Sequence, residues 1–183
     1  LMMEKKFYAP AEDSALLGNC AMENVGKMDC VLDLGTGSGY VASKIEKGCL
    51  RVIGSDINPQ ACTHAKKKNI DVIQSNLMDA FKENSFDMVL FNPPYLPEDE
   101  HTFEEWFERA TVGGETGREI IENFLDDLKR VLTPRGYALL LASTKTGIFE
   151  IETYAKEKGF DANIIAEDTY YDEKLVVFNI TPY

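Results

Sequence analysis

Short apolar runs recur along the chain at 28–34, 50–55, 71–75, 86–91 and 137–142, and each is bounded by polar or glycine residues. Between them the apolar positions change to helical spacing. The clearest case is 117–132, where Ile120, Ile121, Phe124, Leu125, Leu128 and Val131 fall on one face. Similar stretches cover 14–25, with Ala15, Leu16, Leu17 and Ala21 inward, and 40–47, 59–68 and 146–158. The punctuation agrees. Asp13 or Ser14 can cap the first helix, Asn58 precedes a helix that has Pro59 at its first position, and Gly48 and Gly159 close two others. Thr133-Pro134-Arg135-Gly136 reads as a turn. Two last strands, 160–166 and 174–180, are separated by 168–172, which predicts an antiparallel hairpin looser than a tight turn. Strands that alternate with helices, and that are apolar without interruption, predict an α/β fold with a parallel sheet covered on both faces. Only 96–116 fits neither pattern; it is an insert-like segment carrying Phe103, Trp106 and Phe107 among acids. There are no internal repeats or low-complexity linkers, and 183 residues suit one domain over 1–183, with 1–27 as an N-terminal segment and helix.

Charge narrows the function. The chain carries 31 acidic and 19 basic residues, a formal net charge of -12. Such a surface repels phosphate backbones, which argues against direct nucleic-acid binding and suits a basic partner. Cys20, Cys30, Cys49 and Cys62 form no CxxC pair, so a zinc knuckle is not expected. Cys30 and Cys49 adjoin apolar runs and are expected to be buried free thiols, which fits a reducing cytoplasm. His64 and His101 are isolated, and no metal site is expected. No apolar stretch approaches the roughly 20 residues of a membrane span, and Leu1-Met2-Met3-Glu4-Lys5-Lys6 lacks the apolar core of a signal peptide.

The candidate chemistry gathers at strand ends. Met88-Val89-Leu90-Phe91 runs into Asn92-Pro93-Pro94-Tyr95. Two prolines remove two donors and fix two φ angles, and Pro93 biases Asn92 away from the helical region. An amide, a bare carbonyl edge and an aromatic ring would then stand rigidly together, either as a clamp for a planar amide or amine or as a proline-stopped strand. A glycine loop follows the first strand and opens a helix. Gly37-x-Gly39-x-x-Ala42 satisfies the relaxed dinucleotide fingerprint. Asp33, two residues before Gly35, would repel a pyrophosphate but suits an ammonium, so Asp33-x-Gly35-x-Gly37-x-Gly39 is more like an S-adenosylmethionine loop. Asp56 ends the second strand, where an acid grips ribose hydroxyls, with Ile57 beside it. Asn76 and Leu77 end the third, where an amide and an apolar side chain can read and cover an adenine. Polar residues at four consecutive strand ends outweigh any one of them.

Together, Asp33-Leu34-Gly35-Thr36-Gly37-Ser38-Gly39 and Asn92-Pro93-Pro94-Tyr95 resemble the class I S-adenosylmethionine methyltransferases that modify a planar nitrogen. Tyr8-x-Pro10-Ala11-Glu12-Asp13-Ser14 and Gly113-Gly114-x-x-Gly117-Arg118-Glu119 narrow this to the HemK-like release-factor glutamine methyltransferases, in their short archaeal and eukaryotic branch. Nearly the whole chain takes part in the resemblance. Bacterial members carry an extra N-terminal helical domain, which a motif beginning by Tyr8 leaves out. The resemblance implies a Rossmann-like, seven-stranded, mostly parallel sheet in the order 3-2-1-4-5-7-6 with helices on both faces. It implies S-adenosylmethionine as cofactor, lined by Ser14, Asp33, Gly35, Gly37, Gly39, Asp56, Ile57, Asn76, Leu77 and Asn92. The substrate it implies is the glutamine amide of the Gly-Gly-Gln loop of a class I translation termination factor. Asn92 and the Pro93 carbonyl would accept the amide hydrogens, with Pro94 and Tyr95 flanking the amide. It also implies a small zinc-binding activator on the edge strand at 70–75, which has Val72 and Ile73 but no proline to blunt it.

Rival readings differ in what they leave unexplained. Methylation of nucleic-acid amines shares the Asn-Pro-Pro-Tyr motif but meets the charge of -12. The acidic insert could draw a lysine-bearing substrate. A nicotinamide-dependent dehydrogenase accounts for the glycines and explains neither Asp33 nor Asn92.

Overall fold

The computed structural model describes residues 12–93, 118–170 and 173–183. In chain order the elements are α1 (Glu12–Asn24), β1 (Cys30–Leu34), α2 (Tyr40–Ile45), β2 (Arg51–Asp56), α3 (Pro59–Lys66), β3 (Asp71–Gln74) and β4 (Phe86–Phe91). They continue with α4 (Glu119–Val131), β5 (Leu132–Ser143), a 3₁₀ turn (Thr144–Thr146), α5 (Ile148–Glu157), β6 (Phe160–Tyr170) and β7 (Glu173–Pro182).

Seven strands form one sheet in the order β3-β2-β1-β4-β5-β7-β6. The first five are parallel, and β7 enters antiparallel between β5 and β6. This is the order the resemblance implies. The continuous apolar runs follow from burial on both faces. Leu32, Leu34, Val89, Phe91, Leu140 and Phe178 pack under α4 and α5. Val31, Leu90, Leu139, Leu141 and Val177 pack under α1 and α2. Alternate residues of each strand therefore serve opposite cores. Helix α4 adds matched charge at its ends, with Glu119 and Glu122 in its first turn and Lys129 and Arg130 in its last.

Several expected boundaries move. Helix α1 begins at Glu12, so Asp13 and Ser14 lie inside it and not ahead of it. The expected turn at 133–136 is absorbed into β5, because Leu132 already pairs with Phe86 before the register shifts and Tyr137 pairs with Met88. The expected helix over 146–158 is split: Ser143 and Thr146 form a capping box around the 3₁₀ turn, and α5 starts after Gly147. The last hairpin is tighter than expected, with pairing continued as far as Tyr170 and Glu173. All four cysteines are free, but the buried ones are Cys20 and Cys62, whereas Cys30 and Cys49 are only half-buried at strand and turn margins. Among the described residues no helix is long and apolar enough to cross a membrane.

The sheet has two edges. Among the described residues β3, four residues long, pairs only with β2. Among the described residues β6 pairs only with β7, and it carries a register shift between Ile164 and Ala166, a bend that discourages further pairing at a long edge.

Candidate active site

The strands deliver their polar residues to one level. Leu34 of β1 lies beside Ser55 of β2 and Phe91 of β4, and Ser55 lies beside Ile73 of β3. At the next level β1 and β4 have ended, giving Gly35 and Asn92, while Asp56 and Gln74 form the last pair of β2 and β3. One step below, Asp33 pairs with both Gly54 and Leu90. Asp56 and Asn92 are two residues beyond those partners. Strand alternation thus puts Asp33, Asp56 and Asn92 on one face, the face under α1 and α2.

Asp33 is 3% exposed. Its Oδ2 accepts from Thr36 Oγ1 at 2.7 Å and from the Ala42 backbone N–H at 3.1 Å. Both bonds fall on one oxygen, and Oδ1 accepts none among the described residues. Burial pushes this carboxyl up from 3.8 to about 6, opposed by the Thr36 and Ala42 bonds and assisted by the charge of Asp56. Asp56 is tied to backbone: Oδ2 accepts from Gly37 N at 2.9 Å and Oδ1 from Asn58 N at 2.9 Å. Burial raises its pKa as well, against the pull of these donors. Asn58 in turn caps α3, its side chain accepting from Gln60 N.

The glycine loop is held at both ends. Thr36 N donates to the Ser55 carbonyl at 2.9 Å. Gly35, Gly37 and Gly39 have φ of 66°, 52° and 72°, the left-handed region that side chains resist. A Cβ at Gly39 would also stand 3.0 Å from the Ala65 Cβ, so this glycine lets the loop press onto α3. A Cβ at Gly35 would lie 3.8 Å from the Asn92 carbonyl oxygen, which makes the loop and the end of β4 immediate neighbours.

Asn92 is oriented from α1. Its Nδ2 donates to Asp13 Oδ2 at 3.2 Å and lies 3.4 Å from Ser14 Oγ. Asp13 Oδ1 accepts from Ser14 N at 2.6 Å. Asn92 Oδ1 is buried and has no hydrogen-bond partner among the described residues. A buried carbonyl left so costs about 1–3 kcal/mol, and at the rim of the glycine loop a ligand donor would satisfy it. Pro93 follows, also buried. Pro94, Tyr95 and the 96–116 insert lie outside the described residues, as do Tyr8, Pro10, Gly113, Gly114 and Gly117.

Asn76 and Leu77 sit farther out. Ser75 N donates to the Asp56 carbonyl at 3.0 Å, which joins their loop to the end of β2. Ile57 is linked to the same loop through its carbonyl, 3.2 Å from Gln74 Nε2. Arg130 pins the far side by donating to the Met78 carbonyl at 3.0 Å and to the Phe81 carbonyl. Asn76 is exposed, and its Nδ2 is 3.4 Å from Asp79 Oδ2. Leu77 is half-buried with φ 42°, a left-handed conformation for a side-chain-bearing residue.

Two residues have roles at the site that the sequence does not assign them. Thr36 fixes the Asp33 carboxylate, and Asp13 fixes Asn92. A signal for Asp13 was present: Asp13, Leu17 and Ala21 are four residues apart, so the apolar face of α1 carries a carboxylate at its start. Among the described residues no group of three His, Cys, Asp or Glu could hold a metal ion.

Residues 31–114 match the family model described as a methyltransferase domain. A Methanocaldococcus jannaschii protein named putative protein N5-glutamine methyltransferase MJ0928 is 35% identical over 98% of this chain and 93% of its own length. The chain belongs to the protein N5-glutamine methyltransferase family. Human methyltransferase HEMK2 is 29% identical over 95% of this chain and 89% of its own. A chain of the E. cuniculi Mtq2–Trm112 complex, responsible for methylation of the eRF1 translation termination factor, aligns with a TM-score of 0.82 at 26% identity. That alignment covers 97% of this chain and 99% of that one. For an N5-glutamine methyltransferase, the donor set fits S-adenosylmethionine: a buried carboxylate with one oxygen unbonded among the described residues, a glycine loop, and a second acid at the next strand end.

Proposed function

We propose that this chain transfers a methyl group from S-adenosylmethionine to the side-chain nitrogen of the glutamine in the Gly-Gly-Gln loop of a class I translation termination factor. The observation that carries this is Asn92 Oδ1, a buried acceptor without a partner among the described residues, in a residue whose backbone carbonyl adjoins Gly35 of the glycine loop. S-adenosylmethionine, when bound, supplies an electrophilic methyl group on a sulfonium. Asp33, with Gly35, Gly37, Gly39 and Ser14, would hold its amino-acid end, and the Asp33 carboxylate would face the ammonium. Asp56 and Ile57 would take the ribose, and Asn76 and Leu77 the adenine.

An amide nitrogen is a poor nucleophile because its lone pair is shared with the carbonyl. Asn92 Oδ1 and the Pro93 carbonyl accept its two hydrogens, which fixes the amide plane and directs the nitrogen face. Pro94 and Tyr95 flank that plane. Orientation of this kind can supply much of the rate, and no side chain is assigned as a general base.

The E. cuniculi relative was solved as a two-protein complex. By analogy a small zinc-binding activator pairs with the β3 edge of this chain, over 70–75. That strand ends the sheet, and Ile73 is 39% exposed on it. The setting is cytoplasmic.

The test is methyl transfer by the purified chain, with and without the activator, to a termination factor bearing Gly-Gly-Gln. Parallel arms contain tRNA, DNA and a lysine-rich protein. The expected result is one added methyl on that glutamine, seen by peptide mass spectrometry. Methyl on nucleic acid or lysine alone would overturn the reading.

A further inference from the structure

We infer that Asp13 is a positioning residue that fixes which end of the Asn92 amide faces the acceptor nitrogen. This rests on the reading above that Asn92 Oδ1 accepts from the substrate amide. The two ends of an asparagine side chain are nearly the same size but opposite in polarity, and a half-turn about the last bond exchanges them. Only the fold can choose between them. With the oxygen outward, Asn92 accepts from an incoming –NH₂. With the nitrogen outward, two donors meet and the substrate is turned away.

The neighbours of Asn92 do not contribute equally to that choice. Ser14 Oγ, 3.4 Å from Nδ2, is both a donor and an acceptor, so it accommodates either end. Asp13 differs. An ionised carboxylate only accepts. Asp13 is 2% exposed, its Oδ1 already accepts from Ser14 N at 2.6 Å, and its Oδ2 takes the Asn92 N–H at 3.2 Å. Reversing Asn92 would bring two oxygens together where water has little access. The carboxylate itself is fixed by α1, whose Leu17 and Ala21 lie one and two turns farther along the same face and are fully buried. Asp13 thus acts through Asn92 across 79 residues of sequence.

The isosteric variant makes a sharp test. In Asp13→Asn, Ser14 N still requires an oxygen, so the new –NH₂ turns toward Asn92 and pairs with Oδ1, which reverses the amide. In Asp13→Ala neither orientation is imposed. The expected order is unusual: Asp13→Asn loses on the order of 10²-fold in kcat, and Asp13→Ala loses less. A merely structural role gives the opposite order, because truncation disturbs packing more than isosteric replacement. Exchanging the pair, Asp13→Asn with Asn92→Asp, again leaves an oxygen facing outward and should recover about tenfold over Asp13→Asn alone. Thermal melting checks that each variant folds; if Asp13→Asn does not, the wild-type and Asp13→Ala spectra described next decide.

A second measurement needs no substrate. The side-chain ¹⁵N–¹H₂ signals of Asn92, identified by their absence in Asn92→Asp, should show one hydrogen-bonded proton in the wild type. In Asp13→Asn and Asp13→Ala that proton should lose its downfield shift. Unmoved signals, or an Asp13→Asn kcat equal to wild type, overturn the proposal. If the signals move as expected while the wild type fails to methylate any Gly-Gly-Gln factor, Asp13 keeps its positioning role and the assigned substrate falls.

Discussion

The two halves of the site are built differently. The cofactor half is local: Ala42 donates to Asp33 nine residues away, and Gly37 donates to Asp56 nineteen residues away. Its carboxylates are steered mainly by backbone N–H groups within one strand–loop–helix–strand unit. The acceptor half is assembled at a distance, with Asn92 tied by side chains alone to α1, 79 residues earlier. It also keeps one buried acceptor without a partner among the described residues. A local unit held by backbone can recur under many chemistries, so it says "methyl donor" and little more. In the proposed reading, the long-range pair is what selects a planar –NH₂ as acceptor.

If the halves are separable, substitutions should divide between binding and turnover. The largest effect is expected for Asn92→Ala. It should lower turnover by at least ~10²–10³-fold, the usual cost of losing a donor or acceptor aimed at developing charge. S-adenosylmethionine binding, followed by calorimetry, should survive. Equal loss of both would join the halves and break the comparison.

Asp33 should show the converse through pH. Its carboxyl titrates at about 6 in the folded chain against 3.8 unperturbed. Because the folded value is the higher, the stability contributed by this proton is full below 3.8 and is lost as pH rises through about 6. Cofactor binding runs the other way, since an ammonium prefers the ionised form. Affinity should rise by up to about tenfold per pH unit below the folded pKa and level off above it, with proton release on binding. Calorimetry in buffers of different ionisation heat measures this. Asp33→Asn should flatten the profile, and a profile unchanged in that variant would remove Asp33 from the ammonium role.

Gly39→Ala tests how tightly the cofactor half is packed. The added methyl meets Ala65 at 3.0 Å in a backbone with φ of 72°. A loss of about 1–3 kcal/mol in unfolding free energy is expected in a denaturant titration. No loss would mean that the loop yields easily.

How much of this could be read from the chain follows the same division. Runs such as Met88-Val89-Leu90-Phe91 announce buried parallel strands, and Asp33, Gly35, Asp56 and Asn92 stand where such runs stop, which the sequence shows directly. Local chemistry was legible for the same reason that it is local. Asp13 was legible only as a helix cap, because its partner is remote and periodicity does not name partners. The turn expected at 133–136 failed because Gly and Pro also mark irregular strands: β5 runs through them once pairing with β4 holds it. The last hairpin was underestimated because Glu167, Asp168 and Thr169 look like loop, whereas an exposed edge strand tolerates polar residues on both sides. Cys30 and Cys49 looked interior beside apolar runs, but they sit where those runs begin and burial is incomplete.

The smallest expected effect separates a functional unpaired atom from an incidental one. Ser55 Oγ is also buried without a partner, and Ser55 is fully buried. It lies one row along from Asp33 on β2, beside Leu34, so strand alternation turns it to the opposite face from Asp33, Asp56 and Asn92. Its service to the site is made by its carbonyl, which accepts from Thr36 N at 2.9 Å. Ser55→Ala keeps that bond and removes only the unsatisfied hydroxyl. Chemical denaturation should therefore give a gain of about 1 kcal/mol, part of the cost of burying an unpaired polar group, with turnover and cofactor affinity unchanged. A fall in turnover would mean that the site reaches through the sheet to its other face. A gain in stability alone would mark the Ser55 hydroxyl as incidental, in contrast to Asn92 Oδ1, whose burial the proposed reading offsets by function.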